Sequence, residues 1–163
     1  MALREAKIEE ELYYLFKTIL RKHNRKIGNL EFKDVEPQWK VNGGIADLVL
    51  VLANGNPLLE IECKRKLESG VGFRAIRDFD PLGSMVINQA LSYAVKIGAP
   101  VFATTNGDII ALFRTPKPGE PFRLDTHRLM VKEIRLEEKS IEKVLHFVTK
   151  WYAQVPVRLI EVD

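Results

Sequence analysis

Apolar residues recur at helical spacing over residues 5 to 23. Ile8, Leu12, Leu15, Phe16 and Ile19 form one stripe there and predict an amphipathic helix. The segment HNRKIGNLEFKDVEPQWKV then breaks at Gly28-Asn29 and continues in a weaker, strand-like pattern. Two denser apolar runs follow, GGIADLVLVL and PLLEIECK, which predict strands over about 45 to 53 and 57 to 63. Residues 65 to 80 are rich in charge and glycine and read as loop. Asp80-Pro81 predicts a helix start with proline at the first helical position, and the helix over 82 to 97 stops at Gly98. Pro100 to Thr105 predicts a strand, Asn106-Gly107 a turn and Asp108 to Phe113 another strand, followed by a Pro-rich loop over 115 to 127. Leu129 to Leu136 predicts a further strand. A last helix over 140 to 152 carries Ile141, Val144, Leu145, Val148 and Trp151 on one face, and the tail VPVRLIEVD reads as a short strand. This order predicts an α/β fold, a central mixed β-sheet flanked by helices.

Composition narrows the class. The 163 residues, 46% apolar and 29% charged, suit a single domain over 1–163 with a sizeable core, and no repeat or linker divides them. No apolar run approaches the roughly 20 residues of a membrane span. The charged, amphipathic N-terminus is not a secretory signal, so a cytoplasmic location is expected. One cysteine, Cys63, excludes an internal disulfide and a Cys-rich zinc site. A net charge of +3 permits nucleic-acid binding without requiring it.

The two apolar runs also carry the candidate chemistry. Asn54-Gly55 between them predicts a two-residue hairpin turn with positive φ at both positions. In that register Asp47 falls opposite Glu62 and Ile45 opposite Lys64, so Asp47, Glu62 and Lys64 share one face. Opposed carboxylates repel, and a cation between them would resolve the repulsion. Hard cations such as Mg²⁺ or Mn²⁺ suit such oxygen ligands, with the backbone carbonyl of Cys63 a further ligand. Lys64 could hold a water nucleophile or offset charge developing on a phosphate. Glu60 shares that face one pleat earlier and adds a ligand unless it lies at the sheet's solvent end. Of Glu9, Glu10 and Glu11, Glu11 sits between Ile8 and Leu15 and is favoured to reach the site. An acidic first turn matched to the helix dipole is the alternative reading for each. Cys63 points to the opposite face.

Gln89 and Tyr93, four apart, share a face of the 82–97 helix. Lys66, Arg74 and Arg77 lie in the loop after the candidate site, a natural place to grip a phosphate backbone. His23, His127 and His146 show no metal-ligand spacing.

Asp47 followed by Glu62-Cys63-Lys64 resembles the PD-(D/E)xK nuclease superfamily, and Gln89-Ala-Leu-Ser-Tyr93 resembles the QxxxY element of a subset of it. IECKRK, QALSYA and ATTNGDIIALF together resemble the N-terminal nuclease domain of type I restriction-enzyme R subunits, over about residues 5 to 113. The resemblance implies a restriction-endonuclease-like core and a Mg²⁺-dependent DNA endonuclease, with Mn²⁺ able to substitute. Asp47 and Glu62 would bind the metal, and Lys64 would orient the attacking water. Gln89 and Tyr93 would support the site and touch DNA. A first-helix glutamate would complete the metal shell. The chain departs from the pattern at Ala46, where a proline often precedes the aspartate, and at Glu60, usually apolar in these relatives. These residues hold no Walker motif, so the expectation is a nuclease domain that does not itself translocate DNA. DNA is the expected partner, within a homodimer (paired through the tail strand) or a larger restriction or repair complex. The alternative is a catalytically inactive nucleic-acid-binding or structural subunit with the same fold.

Overall fold

The first apolar stripe forms helix α1 (Glu5–Lys22), with Ile8, Leu12, Phe16 and Ile19 buried. This computed structural model describes residues 5–64 and 81–154. After α1 come β1 (Lys26–Ile27), β2 (Leu30–Val41), β3 (Gly44–Leu52) and β4 (Pro57–Cys63). Helix α2 (Ser84–Ile97) leads to β5 (Val101–Thr105) and β6 (Ile109–Arg114). A short helix α3 (Leu124–His127), β7 (Arg128–Glu133) and helix α4 (Glu138–Gln154) complete the described fold. Among the described residues seven strands form a sheet in sequence order, antiparallel throughout except for the parallel pair β4–β5. The expected α/β architecture, a mixed sheet flanked by helices, is therefore the one observed. No helix among the described residues is long and apolar enough to cross a membrane.

Alternation along the strands sorts the two faces. Leu48, Leu50, Leu59, Ile61, Cys63, Val101, Ala103, Ile110 and Leu112 pack with α1 and α4. The intervening Phe102, Ala111 and Phe113 pack with Ile87, Ala90 and Ala94 of α2 on the other face, and Tyr93 and Ile97 of α2 cover Val49 and Val51. The strands that bury both faces are nearly continuous apolar runs for that reason.

Several boundaries differ from expectation. The weak pattern after Gly28 is a full strand of 12 residues, β2, antiparallel to β3. Helix α2 starts at Ser84, not at Pro81. The Pro81 carbonyl is held instead by the Thr104 hydroxyl at 2.6 Å, and Gly83 takes the cap position without a side-chain bond. Its other end follows expectation: Gly98 is left-handed (φ 75°), and Ala99 N–H donates to Ala94 O at 2.9 Å. The polar stretch 115–127 contains α3, and α4 runs longer than its apolar face implied.

The β3–β4 turn is also one residue longer than expected. Gly55 N–H donates to Leu52 O (2.8 Å), Leu52 N–H donates to Asn56 O (2.9 Å), and of the turn residues Gly55 alone has positive φ (91°). The loop is Ala53-Asn54-Gly55, a turn closed by a left-handed glycine. Val51 consequently pairs with Pro57, one residue out of the expected register, and an irregularity between Leu50 and Val51 restores it. Leu50 pairs with Leu59, Val49 with Glu60 and Leu48 with Ile61.

Candidate active site

The register at Leu48–Ile61 carries one step further to Asp47 across from Glu62. The ladder itself ends at Leu48–Ile61, while β4 stays paired with β5 through Cys63–Thr105. Lys64 N–H extends that parallel ladder to the Thr105 carbonyl at 2.8 Å. At the parting of β3 and β4, the Asp47 carboxylate takes the place of a backbone acceptor: Cys63 N–H donates to its Oδ2 at 2.8 Å. On its other side Asp47 runs alongside Gln38, which lies between the pairs Pro37–Leu48 and Trp39–Ala46 and has φ 53°. A left-handed non-glycine residue in mid-strand is strained backbone, placed here beside the candidate aspartate.

Asp47, Glu60 and Glu62 lie on the α2 face and are buried, at 9%, 0% and 1% exposure. Glu60 is therefore not at the solvent end of the sheet. Neither of its carboxylate oxygens has a hydrogen-bond partner among the described residues. Burial, then the charge of Glu62, then that of Asp47 push its carboxyl well above the usual carboxylate range. Lys64 Nζ approaches Glu62 Oε2 at 3.9 Å, which brings a positive charge to the edge of these acids. Three buried acids side by side, with neither Glu60 oxygen bonded to a donor among the described residues, suit the oxygen-ligand chemistry of a hard divalent cation. Asp47 and Glu62 alone supply as many protein carboxylates as Mg²⁺ commonly takes.

Gln89 and Tyr93 stand over the same face. Gln89 Nε2 donates to Tyr93 Oη at 3.4 Å. The Tyr93 ring lies so close to the start of β3 that a Cβ on Gly44 would fall 2.3 Å from its hydroxyl oxygen. Gly44 is thus required by the approach of Tyr93, three residues before Asp47, and nothing in the strand pattern marked it. Lys96 Nζ, one helical turn further on, holds the Asn42 carbonyl at 2.8 Å and ties α2 to the β2–β3 turn.

The first-helix glutamates divide. Glu11 pairs with Lys7 at 3.2 Å on the helix surface. Glu9 instead accepts a hydrogen bond from Gln38 Nε2, so it is the one drawn to the strand segment beside Asp47. The Cys63 side chain is buried on the α1 face, as expected. Lys66, Arg74 and Arg77, together with the tail strand, lie outside the described residues.

A mixed sheet whose β3–β4 hairpin carries the acids, followed by a helix returning to a parallel β5, defines a restriction-endonuclease-like fold. Among solved structures the chain is similar to the type IIG restriction endonuclease BpuSI, at a TM-score of 0.57 and 18% identity over 86% of this chain and 16% of that one. No protein-family model matches the chain, and no curated protein sequence does.

Proposed function

We propose that this chain is a Mg²⁺-dependent endodeoxyribonuclease domain, related to the nuclease domains of type I restriction-enzyme R subunits. The observation that carries the reading is the buried acidic cluster Asp47, Glu60 and Glu62 with Lys64 at its edge, where β3 and β4 part. Asp47 and Glu62 would hold the cation, joined by the Cys63 carbonyl and a first-helix glutamate. When bound, the metal supplies Lewis-acid polarisation of the scissile phosphate and lowers the pKa of a water. Lys64 sits within reach of Glu62 and orients the attacking water or neutralises charge developing on the phosphate. Tyr93 and Gln89 contact the DNA backbone from α2, with Lys66, Arg74 and Arg77 gripping neighbouring phosphates. Hydrolysis is in-line and leaves no covalent intermediate on the protein.

The test is cleavage of duplex, single-stranded and branched DNA by purified protein with Mg²⁺ or Mn²⁺. Cutting should disappear in Asp47→Asn and persist in a surface control. Salt-dependent DNA binding without metal-dependent cutting would select the inactive binding subunit instead.

A further inference from the structure

The three histidines show no ligand spacing along the chain, yet the fold unites two of them. Among the described residues, His23, Glu142 and His146 bring one donor atom each to within 4.8 Å of one another. His23 follows directly on α1; Glu142 and His146 are one turn apart on α4. Both helices pack on the sheet face opposite Asp47, Glu60 and Glu62.

The geometry points to a transition-metal site, with Zn²⁺ as its natural occupant, clamping the C-terminal end of α1 to α4. The carboxylate of Glu142 is divided between two tasks. Its Oε1 faces Lys22 Nζ at 3.6 Å, and its Oε2 faces His23 Nε2 at 3.3 Å and His146 Nε2 at 3.7 Å. Metal–ligand bonds of about 2.0–2.2 Å in a tetrahedron put neighbouring donor atoms roughly 3.3–3.6 Å apart. The His23–Glu142 separation falls in that range before any ion is added, and the His146–Glu142 separation lies just beyond it. His23 Nε2 is also buried and faces the carboxylate without hydrogen-bond geometry. A ligating nitrogen aims its lone pair at the metal and not at the neighbouring ligand. The two imidazole rings meet nearly at right angles (89°), with centroids 6.0 Å apart, so both edges can converge on one point.

The ligand type sets the metal. Two imidazoles and one carboxylate suit Zn²⁺, with a water in the fourth position, and do not suit Mg²⁺. The site would thus select a different ion from the all-oxygen cluster across the sheet. It would also hold a conformationally costly joint. Asn24 and Arg25, immediately after His23, both take left-handed φ (54° and 63°) between α1 and β1.

Zn²⁺ binding to the full, chelator-stripped chain tests this by calorimetry, in an Asp47→Asn background that weakens metal binding at the acidic cluster. One Zn²⁺ per chain is expected. His146→Ala and His23→Ala should each lower the affinity by at least about tenfold, the scale on which losing support at a metal site is felt. His146 is half-exposed, so its loss should leave the far-UV circular dichroism unchanged, and Glu142→Gln provides a second variant of similar size. Co²⁺ should give the visible absorption of a tetrahedral site in the parent and not in His146→Ala. Zinc affinity unchanged by all three substitutions would overturn the proposal, as would no zinc binding at all. Equal thermal stabilisation by Mg²⁺ and Zn²⁺ would overturn it too.

Discussion

Replacing Gly44 with alanine isolates the contact that seats Tyr93. The added Cβ would lie 2.3 Å from Tyr93 Oη and 2.8 Å from both Cε1 and Cζ. Gly44 is not in the left-handed region, so alanine meets no backbone strain there. Considered alone, the change would stabilise by about 0.4–1 kcal/mol, because it removes freedom from the unfolded chain. The clash opposes this gain. Carbon atoms rest about 3.5–4.0 Å apart, so the ring must retreat by roughly 1 Å. It has little room to do so, since it packs against the Ala46, Val49 and Val51 cluster. Overpacking of this kind costs about 1–3 kcal/mol. The balance is a net loss of about 1–2 kcal/mol, or a drop of roughly 2–8 °C in melting temperature for a chain of this size. Urea and thermal unfolding of the parent, Gly44→Ala, Tyr93→Ala and the double variant, all in chelator, give a double-mutant cycle. The sign should reverse between backgrounds: Gly44→Ala destabilises when Tyr93 is present and is neutral or stabilising when the ring is gone. The same loss in both backgrounds would show that the cost comes from the strand and not from Tyr93, and the reasoning would fail.

Asp47→Ala leaves the buried Cys63 N–H without its acceptor and should cost about 1–3 kcal/mol. Asp47→Asn keeps an oxygen there and should cost less, so equal urea midpoints for the two variants would refute the structural role. Glu60 has a folded pKa raised above its ordinary 4.5, so the native state retains a proton that the unfolded state has lost. Its cost is absent below the unfolded pKa and grows as pH rises toward the folded one. Glu60→Gln should therefore gain stability over the parent increasingly as pH rises above the ordinary 4.5 in chelator, and parallel pH profiles would count against it. For Asp34, burial raises the carboxyl pKa, but the bonds from Lys17 Nζ and Val35 N–H together hold it below its ordinary 3.8. The resulting stability is present above that value and lost as pH falls through the depressed one. Because both side chains are more than a quarter exposed, Asp34→Asn should cost only about 1 kcal/mol or less at neutral pH, and an unchanged acid-unfolding limb would refute the pairing.

Periodicity located nearly every element because most of them bury a full stripe or both faces. It failed where context outweighed local pattern. Residues 30 to 41 alternate weakly, yet β2 is held by a partner strand whose own apolar run dominates the pairing. The proline at 81 suggested a helix start, but its carbonyl is already committed to Thr104. The hairpin register at Asp47 was legible through two errors that offset each other, a turn one residue too short and an irregularity not anticipated. The neighbourhood of Asp47 and Glu62 could be read from two adjacent strands. The requirement for Gly44 could not, because it depends on a helix some 50 residues later. His23 and Glu142 likewise have no shared sequence signal. The one local hint was the Glu142–His146 spacing of four on a helix face.

The placement of the acids follows from the one parallel pair in the sheet. Strands β4 and β5 run the same way, so the chain must cross over between them, and α2 returns across the sheet face on which Glu60, Glu62 and Thr104 lie. The crossover puts Gln89 and Tyr93 over the start of β3, while β4 remains paired with β5 beyond the point where it leaves β3. The β3–β4 ladder therefore ends under the helix that covers these strands. Folding alone gives no reason to place two carboxylates where the strands part and a third, Glu60, at the ladder pair with Val49 just before it. Valine or isoleucine at Glu60 would pack beside Phe102 and remove the cost of burying an acid without donors. Retaining an acid there destabilises the free protein, and a cation that binds the folded chain in preference to the unfolded one would offset that cost. The buried cluster and the metal-dependent reading thus make one joint claim. Divalent cation should raise the melting temperature of the parent by more than that of Asp47→Asn, measured without DNA and independently of any cleavage.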